Sequence, residues 1–272
     1  MFLVHPDATT LTRALVGCAL ATAIALAARR AGSLSTSGAL TATVMGTLCA
    51  AVGTGWGVLL IVYFLAASLL SRYGRREKER LAGGVVAKGG ARDARQVLAN
   101  GGLYAACLAI AQVSPDDITT IAYVVALGAL AASSADTWAT EIGTLHGGTP
   151  RSLFTLRRVV PGTSGGVSVV GSIAMCAGAG FVALMALSLG LTTLPLAISI
   201  GGVSGALADS ALGATVQERR WCPTCSMSSE QVVHTCGSPT TVVAGVQWMD
   251  NDAVNLLATV VGGAVAALVA TL

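Results

Sequence analysis

Directly after an apolar run, residues 133–143 read SSADTWATEIG, which puts Asp136 and Glu141, with Thr137 and Thr140, where a membrane segment tolerates almost no charge. An acid inside a membrane helix costs roughly 2.5–3.5 kcal/mol on insertion scales, so it needs a cation, a hydrogen-bond partner or water. On a helix Ser133, Thr137 and Glu141 recur every fourth residue along one face, with Asp136 and Thr140 alongside. That is an oxygen-rich stripe suited to a hard cation such as Mg²⁺. The plainer reading is a pair of carboxylates at a helix end that reach water.

A second acid lies in residues 201–217, GGVSGALADSALGATVQ, where Gly201, Gly205, Asp209, Gly213 and Gln217 follow at intervals of four. Glycines at this spacing let another helix approach closely, so packing alone explains them. Asp209, followed by Ser210, adds a carboxylate to that seam. The triplets ADT at 135–137 and ADS at 208–210 echo each other, which hints at duplicated helix hairpins with one acid in each half. A third polar group, DNDAVN at 250–255, enters the last apolar run. One residue suffices for an N-cap, yet Asn251, Asp252 and Asn255 crowd the same two turns, so capping and a place in a site both remain open.

Two stretches could hold phosphate. Arg157 and Arg158 precede a turn of Gly162, Thr163, Ser164, Gly165 and Gly166 that opens an apolar run, and backbone N–H groups at a helix start beside arginine favour anions. Such a turn is also a common hinge, and the chain contains no Walker A sequence. The other stretch runs from Lys88 through Arg92 to Asn100, where an amide stands at the mouth of an apolar helix.

Four cysteines, Cys18, Cys49, Cys107 and Cys176, sit in apolar runs as small core residues. The other three lie in a polar loop with a histidine: Cys222, Cys225, His234 and Cys236, in the pattern C-x2-C-x8-H-x-C. A reducing cytoplasm argues against a disulfide. Three thiols and an imidazole can instead close a tetrahedral Zn²⁺ site of structural kind, with free thiols as the alternative.

These residues need elements to position them, and composition says which. The chain has 272 residues, 54% of them hydrophobic, only 11% charged, with 33 glycines. A soluble domain carries about a quarter charged residues, so this composition excludes one and marks a polytopic membrane protein, an all-α helical bundle. Apolar runs at 11–28, 38–51, 56–70, 98–113, 118–132, 165–189, 194–214 and 253–272 give about eight helices in a single integral-membrane unit covering residues 1–272. The first run lacks a basic leader and ends on Arg29-Arg30, so it reads as a retained helix rather than a signal peptide. The second is short of the roughly 20 residues that a span needs and is expected to begin nearer Gly32.

The connecting loops after the first, third, fifth and seventh runs hold 2, 8, 3 and 2 of the 16 Lys and Arg residues, and only Arg13 falls on the other side. The positive-inside rule then places these loops, including 215–247 with its zinc pattern, in the cytoplasm and both termini outside. All the polar motifs share that face, where cytoplasmic nucleotide could reach them. No nucleic-acid partner is expected; the net charge of +3 matters less than its placement.

Taken in order, GGARDARQVLANGG, SSADTWATEIG, VVPGTSGGVS, LADSALGATVQ and WMDNDAVN resemble the motifs of the phytyl phosphate kinase family. This is an integral-membrane group, formerly a domain of unknown function, with a member in phytol salvage for vitamin E synthesis. The resemblance runs from about residue 36 to the C-terminus. It implies CTP-preferring transfer of a phosphoryl group to an isoprenoid monophosphate, giving the diphosphate, without fixing the isoprenoid. Under that implication Asp136, Glu141 and Asp209 would hold Mg²⁺ and Arg157, Arg158 and the 162–166 turn would hold phosphates. Lys88 and Arg92 would add charge, while Asn100, Thr137, Ser210, Gln217, Asn251, Asp252 and Asn255 would contact nucleotide or metal-bound water. A cytidylyltransferase acting on a lipid phosphate would use the same partners but release pyrophosphate, and a transporter would also keep acids between glycine-rich helices.

Overall fold

In the computed structural model, residues 8–86 and 90–272 are described. They form nine helices: α1 (Ala8–Arg30), α2 (Thr36–Val52), α3 (Thr54–Arg72), α4 (Arg75–Ala82), α5 (Ala94–Ala111), α6 (Asp116–His146), α7 (Val169–Ser188), α8 (Pro195–Thr215) and α9 (Asn251–Ala270). Eight of these coincide with the expected apolar runs, and α4 is a short charged helix inside the basic loop. Six helices are long and apolar enough to cross a membrane; α2 is apolar but has 17 residues, and α5 opens with Arg95, Gln96 and Asn100. The fold is a polytopic helical bundle.

Boundaries move where local chemistry dictates. Ser35 caps α2 by accepting from the Gly38 amide at 3.1 Å, so the helix starts after Gly32 rather than at it. The apolar run at 118–132 continues as helix through the acidic motif, as the four-residue spacing of that motif requires: no proline interrupts SSADTWATEIG, and α6 runs for 31 residues, about 46 Å. Its last turns therefore carry the acidic motif. Ser168 caps α7, which begins beyond the glycine turn rather than at Gly165. The two polar loops, one with the expected anion turn and the other with the Cys/His pattern, contain small antiparallel sheets. In the first, β1 (Arg151–Ser152) pairs with β2 (Gly166–Val167). In the second, β3 (Arg219–Cys222) lies between β4 (Met227–Ser229) and β5 (Thr241–Ala244).

Helix α6 is the axis, buried continuously from Ala126 to Ala135 and packed by α5, α7, α8 and α9. Small residues bring its neighbours to backbone range. A Cβ on Gly205 of α8 would lie 2.4 Å from the Ala132 Cβ and 2.7 Å from the Ala258 carbonyl oxygen, and one on Gly128 would lie 2.5 Å from the Ala266 Cβ. With apolar lipid around the bundle, such close van der Waals contact is what holds membrane helices together. The expected glycine seam of α8 is thus real, and it is a packing seam.

The basic ends of the helices meet on one face: Arg72 donates to the Ala31 carbonyl and Arg92 pairs in backbone register with Leu34. Asp116 begins α6 at the other end of a helix whose last turns reach that face. We expect this basic face to be cytoplasmic. In intact cells a membrane-impermeant maleimide should modify Asp116→Cys and spare Glu79→Cys, with the modified peptides identified by mass; the opposite pattern would reverse the topology.

Candidate functional site

Close packing of α6, α8 and α9 brings the acids together. Asp136 lies one turn beyond Ala132 and Asp209 one turn beyond Gly205, so the contact between Ala132 and Gly205 sets the two carboxylates side by side. Both line one small pocket with Asn100 and Ser133, closed on the α9 side by Asn255, Ala258 and Thr259. The Asp209 Oδ2 is buried without a hydrogen-bond partner. Two carboxylates lining one pocket, one of them with an unsatisfied oxygen, are a donor set of the kind a hard divalent cation takes, with Asn100 and Asn255 in the same wall. A hydroxyl chain supports it: Ser133 donates to Asn100 Oδ1 at 2.8 Å, and Tyr63 donates to Ser133 Oγ at 2.7 Å.

Glu141 has other company. It accepts from the Ser71 hydroxyl and from Lys78 Nζ, both at 2.5 Å. Lys78 also donates to the Leu70 and Ser71 carbonyls, at 2.7 and 3.3 Å, satisfying the open end of α3. The expected metal ligand is therefore half of an ion pair, with side chains 11% and 21% exposed. Arg92 stands beside it, donating to Ser71 Oγ at 3.0 Å. Its backbone is fixed from below: Ser35 N–H donates to the Arg92 carbonyl at 3.0 Å, and a Cβ on Gly38 would come within 2.1 Å of that oxygen, so α2 can lie there only as glycine.

Asp136, Thr137, Thr140, Glu141, Lys78, Arg92, Asn100 and Asn255 all line one cavity of about 570 Å³. That is within the roughly 300–1,000 Å³ of small-molecule sites. From this ionic end it runs between α1, α2 and α3 along Phe64, Ile61, Val58, Ala25, Leu20 and Val16, reaching Thr12 and Arg13 near the opposite end of α1. Helix α1 packs on α2, and the space between α1 and α3 is this crevice. One continuous space thus joins charges of both signs to a long apolar channel.

Other expected site residues lie elsewhere. Arg157 and Arg158 are exposed beside the β1–β2 ribbon, outside the cavity wall, with the Arg157 carbonyl accepting from Ser152 at 2.9 Å. The 162–166 turn packs on the protein: Gly162 meets Ala82 and Val86, while Gly165 (φ +75) has Ala214 where a Cβ would project. The Thr163 carbonyl accepts one backbone bond from the Gly166 N–H, and Ser164 donates to Glu230. Ser210 follows Asp209 on α8. Gln217 is buried at the root of the second sheet with its Nε2 unpartnered. Asp250 caps α9; Asn251 opens the helix, and Asp252 is buried 4.0 Å from Arg95. Lys88 lies outside the described residues. Lys78, Ser71 and Tyr63 were missed from sequence, where a lysine among arginines reads as a topology signal.

Cys222, Cys225, His234 and Cys236 do converge, with one ligand atom from each within 4.8 Å of the others. Hydrogen bonds from Ser238 and His234 hold the Cys236 thiol down at about 6, while those with Cys236 push Cys225 up to about 11.

Fold and site define a polytopic helical membrane protein with a charged pocket opening into an apolar crevice. More narrowly, the chain belongs to the integral membrane protein DUF92 family, whose profile it matches over residues 19–263. It is 30% identical over 270 residues to Protein PGR of Arabidopsis thaliana, covering 90% of this chain and 92% of that one. It is 28% identical to the uncharacterized membrane protein MJ0933 of Methanocaldococcus jannaschii, over 96% and 95% of the two chains. Protein VTE6, chloroplastic, of Arabidopsis thaliana is 27% identical over 86% of this chain and 65% of its own length. No solved structure matches the chain.

Proposed function

We propose that the protein is a membrane kinase that transfers a phosphoryl group from CTP, or another nucleoside triphosphate, to an isoprenoid monophosphate. The observation that carries this reading is the single cavity with an ionic head at Asp136, Lys78 and Arg92 and an apolar channel between α1, α2 and α3. The family membership supports it, as does the resemblance of five ordered motifs to phytyl phosphate kinases.

Phosphoryl transfer asks mainly for positioning and charge neutralisation. Asp136 and Asp209 would hold Mg²⁺, which when bound neutralises the phosphates being brought together. Lys78 and Arg92 offer cations to phosphate oxygens, and the Tyr63–Ser133–Asn100 chain fixes the Asn100 amide. The isoprenoid tail lies in the crevice, out of water. An oxygen of the lipid phosphate attacks the terminal phosphorus, and the bond to the leaving nucleoside diphosphate breaks; the attacking oxygen is already ionised, so no general base is needed. The active face is cytoplasmic in this reading.

Purified protein with Mg²⁺, CTP labelled at the γ-phosphate and a panel of isoprenoid monophosphates should yield labelled isoprenoid diphosphate and CDP. Pyrophosphate release with a CDP-lipid product would make it a cytidylyltransferase, and absence of any nucleotide product across the panel would overturn the kinase.

A further inference from the structure

We propose that Cys222, Cys225, His234 and Cys236 bind one structural Zn²⁺, and that the metal-bound loop clasps residues 83–86 so as to hold α4, and with it Lys78, over the cavity. The metal site stands without the kinase reading; only the importance of Lys78 rests on it.

The four ligand atoms are already gathered. Cys222 Sγ and Cys236 Sγ are 3.6 Å apart and His234 Nδ1 is 3.2 Å from Cys236 Sγ. Two sulfurs on one tetrahedral zinc, with bonds of about 2.3 Å, stand roughly 3.8 Å apart. The Cys225 amide donates to Cys222 Sγ at 3.5 Å, the outer-shell bond that steadies a thiolate in a C-x2-C turn. Nδ1 faces the sulfurs, which leaves the other ring nitrogen on the far side against Gly84, where a Cβ would come within 3.2 Å of it.

The loop has a physical need for this metal. Its sheet has strands of four, three and four residues. From residue 218 to 245 the buried side chains are Cys222, Ser229, His234 and Thr240, whereas Trp221, Val232, Val233 and Val243 are exposed. A sheet this small with no buried aliphatic residue cannot draw its stability from an apolar core. Two of those four buried residues are in the metal cluster.

What the loop grips is the end of α4. Gln231 Nε2 donates to the Gly83 and Val86 carbonyls, both at 2.9 Å, and the Glu230 amide donates to the Val85 carbonyl at 2.8 Å. Glu230 also accepts from Ser164, tying in the glycine turn. These contacts come from the residues just before His234. A loop pinned at His234 therefore pins 83–86, and α4 carries Lys78 to Glu141 one turn earlier.

Protein purified without chelator should contain one zinc per chain by elemental mass spectrometry. Cys225 is exposed, so Cys225→Ser should lose the zinc while the bundle stays folded, and Cys225→His should retain it. Hydrogen exchange across 75–86 should accelerate by roughly tenfold or more in Cys225→Ser, or after chelation of the wild type, with 126–135 unchanged, and recover when zinc is restored. A chain without zinc, or with these thiols paired as a disulfide, would overturn the site. Zinc whose removal leaves exchange at 75–86 unaltered would overturn the clasp. No arm reads phosphoryl transfer, so failure here is separable from failure of the kinase reading.

Discussion

A folded Asp136→Asn variant should lose phosphoryl transfer by on the order of a hundredfold or more, the scale of removing one preorganised electrostatic group from a reaction centre. The substitution keeps the shape and deletes the charge, so Mg²⁺ binding and neutralisation of the transferring phosphates should both suffer. Asp209→Asn should behave alike, because its unpartnered Oδ2 lies in the same pocket wall as Asp136. If the two act as one cation site, the double variant should cost far less than the product of the singles. The measurement is transfer rate against Mg²⁺ concentration for both singles and the double, after a thermal melt in detergent establishes folding. Near-normal turnover in folded Asp136→Asn would remove the acidic motif from the chemistry.

The second large effect is expected at a residue that carries no charge itself. Gly205→Ala sets a methyl 2.4 Å from the Ala132 Cβ and 2.7 Å from the Ala258 carbonyl, where backbone stands on the other side and cannot swing aside. Overpacking of this kind costs about 1–3 kcal/mol. Relief requires α8 to move off α6, and the first casualties one turn on are Asp136 and Asp209. Both melting temperature and transfer rate should fall. Gly180→Ala on α7 is the matched control, since a Cβ there meets nothing within 4 Å. Helix propensity alone should leave that variant as stable or more so, by up to about 1 kcal/mol. Equal melting temperatures for the two variants would refute the seam.

The sequence by itself determined the membrane bundle, because 11% charge with repeated apolar runs admits little else. It also singled out Asp136 and Asp209, since a carboxylate in an apolar helix is too costly to be incidental. The convergence of the Cys/His loop was equally plain: Cys222, Cys225, His234 and Cys236 lie within one short segment, so spacing alone brings them close. Local chemistry was a poorer guide where partners come from afar. The Gly162–Gly166 turn has the residues of an anion holder, but Ala82, Val86 and Ala214 occupy the space around it. Glu141 has the spacing of a metal ligand, but Lys78 from α4 takes it as an ion pair. Only tertiary structure decided these, along with the crevice between α1 and α3 and the backbone clamp on Arg92. Composition fixes which side chains must leave water. Which of them then meet is set by how closely the backbones approach, and here that distance is set by Gly38, Gly128 and Gly205, residues that carry no chemistry of their own.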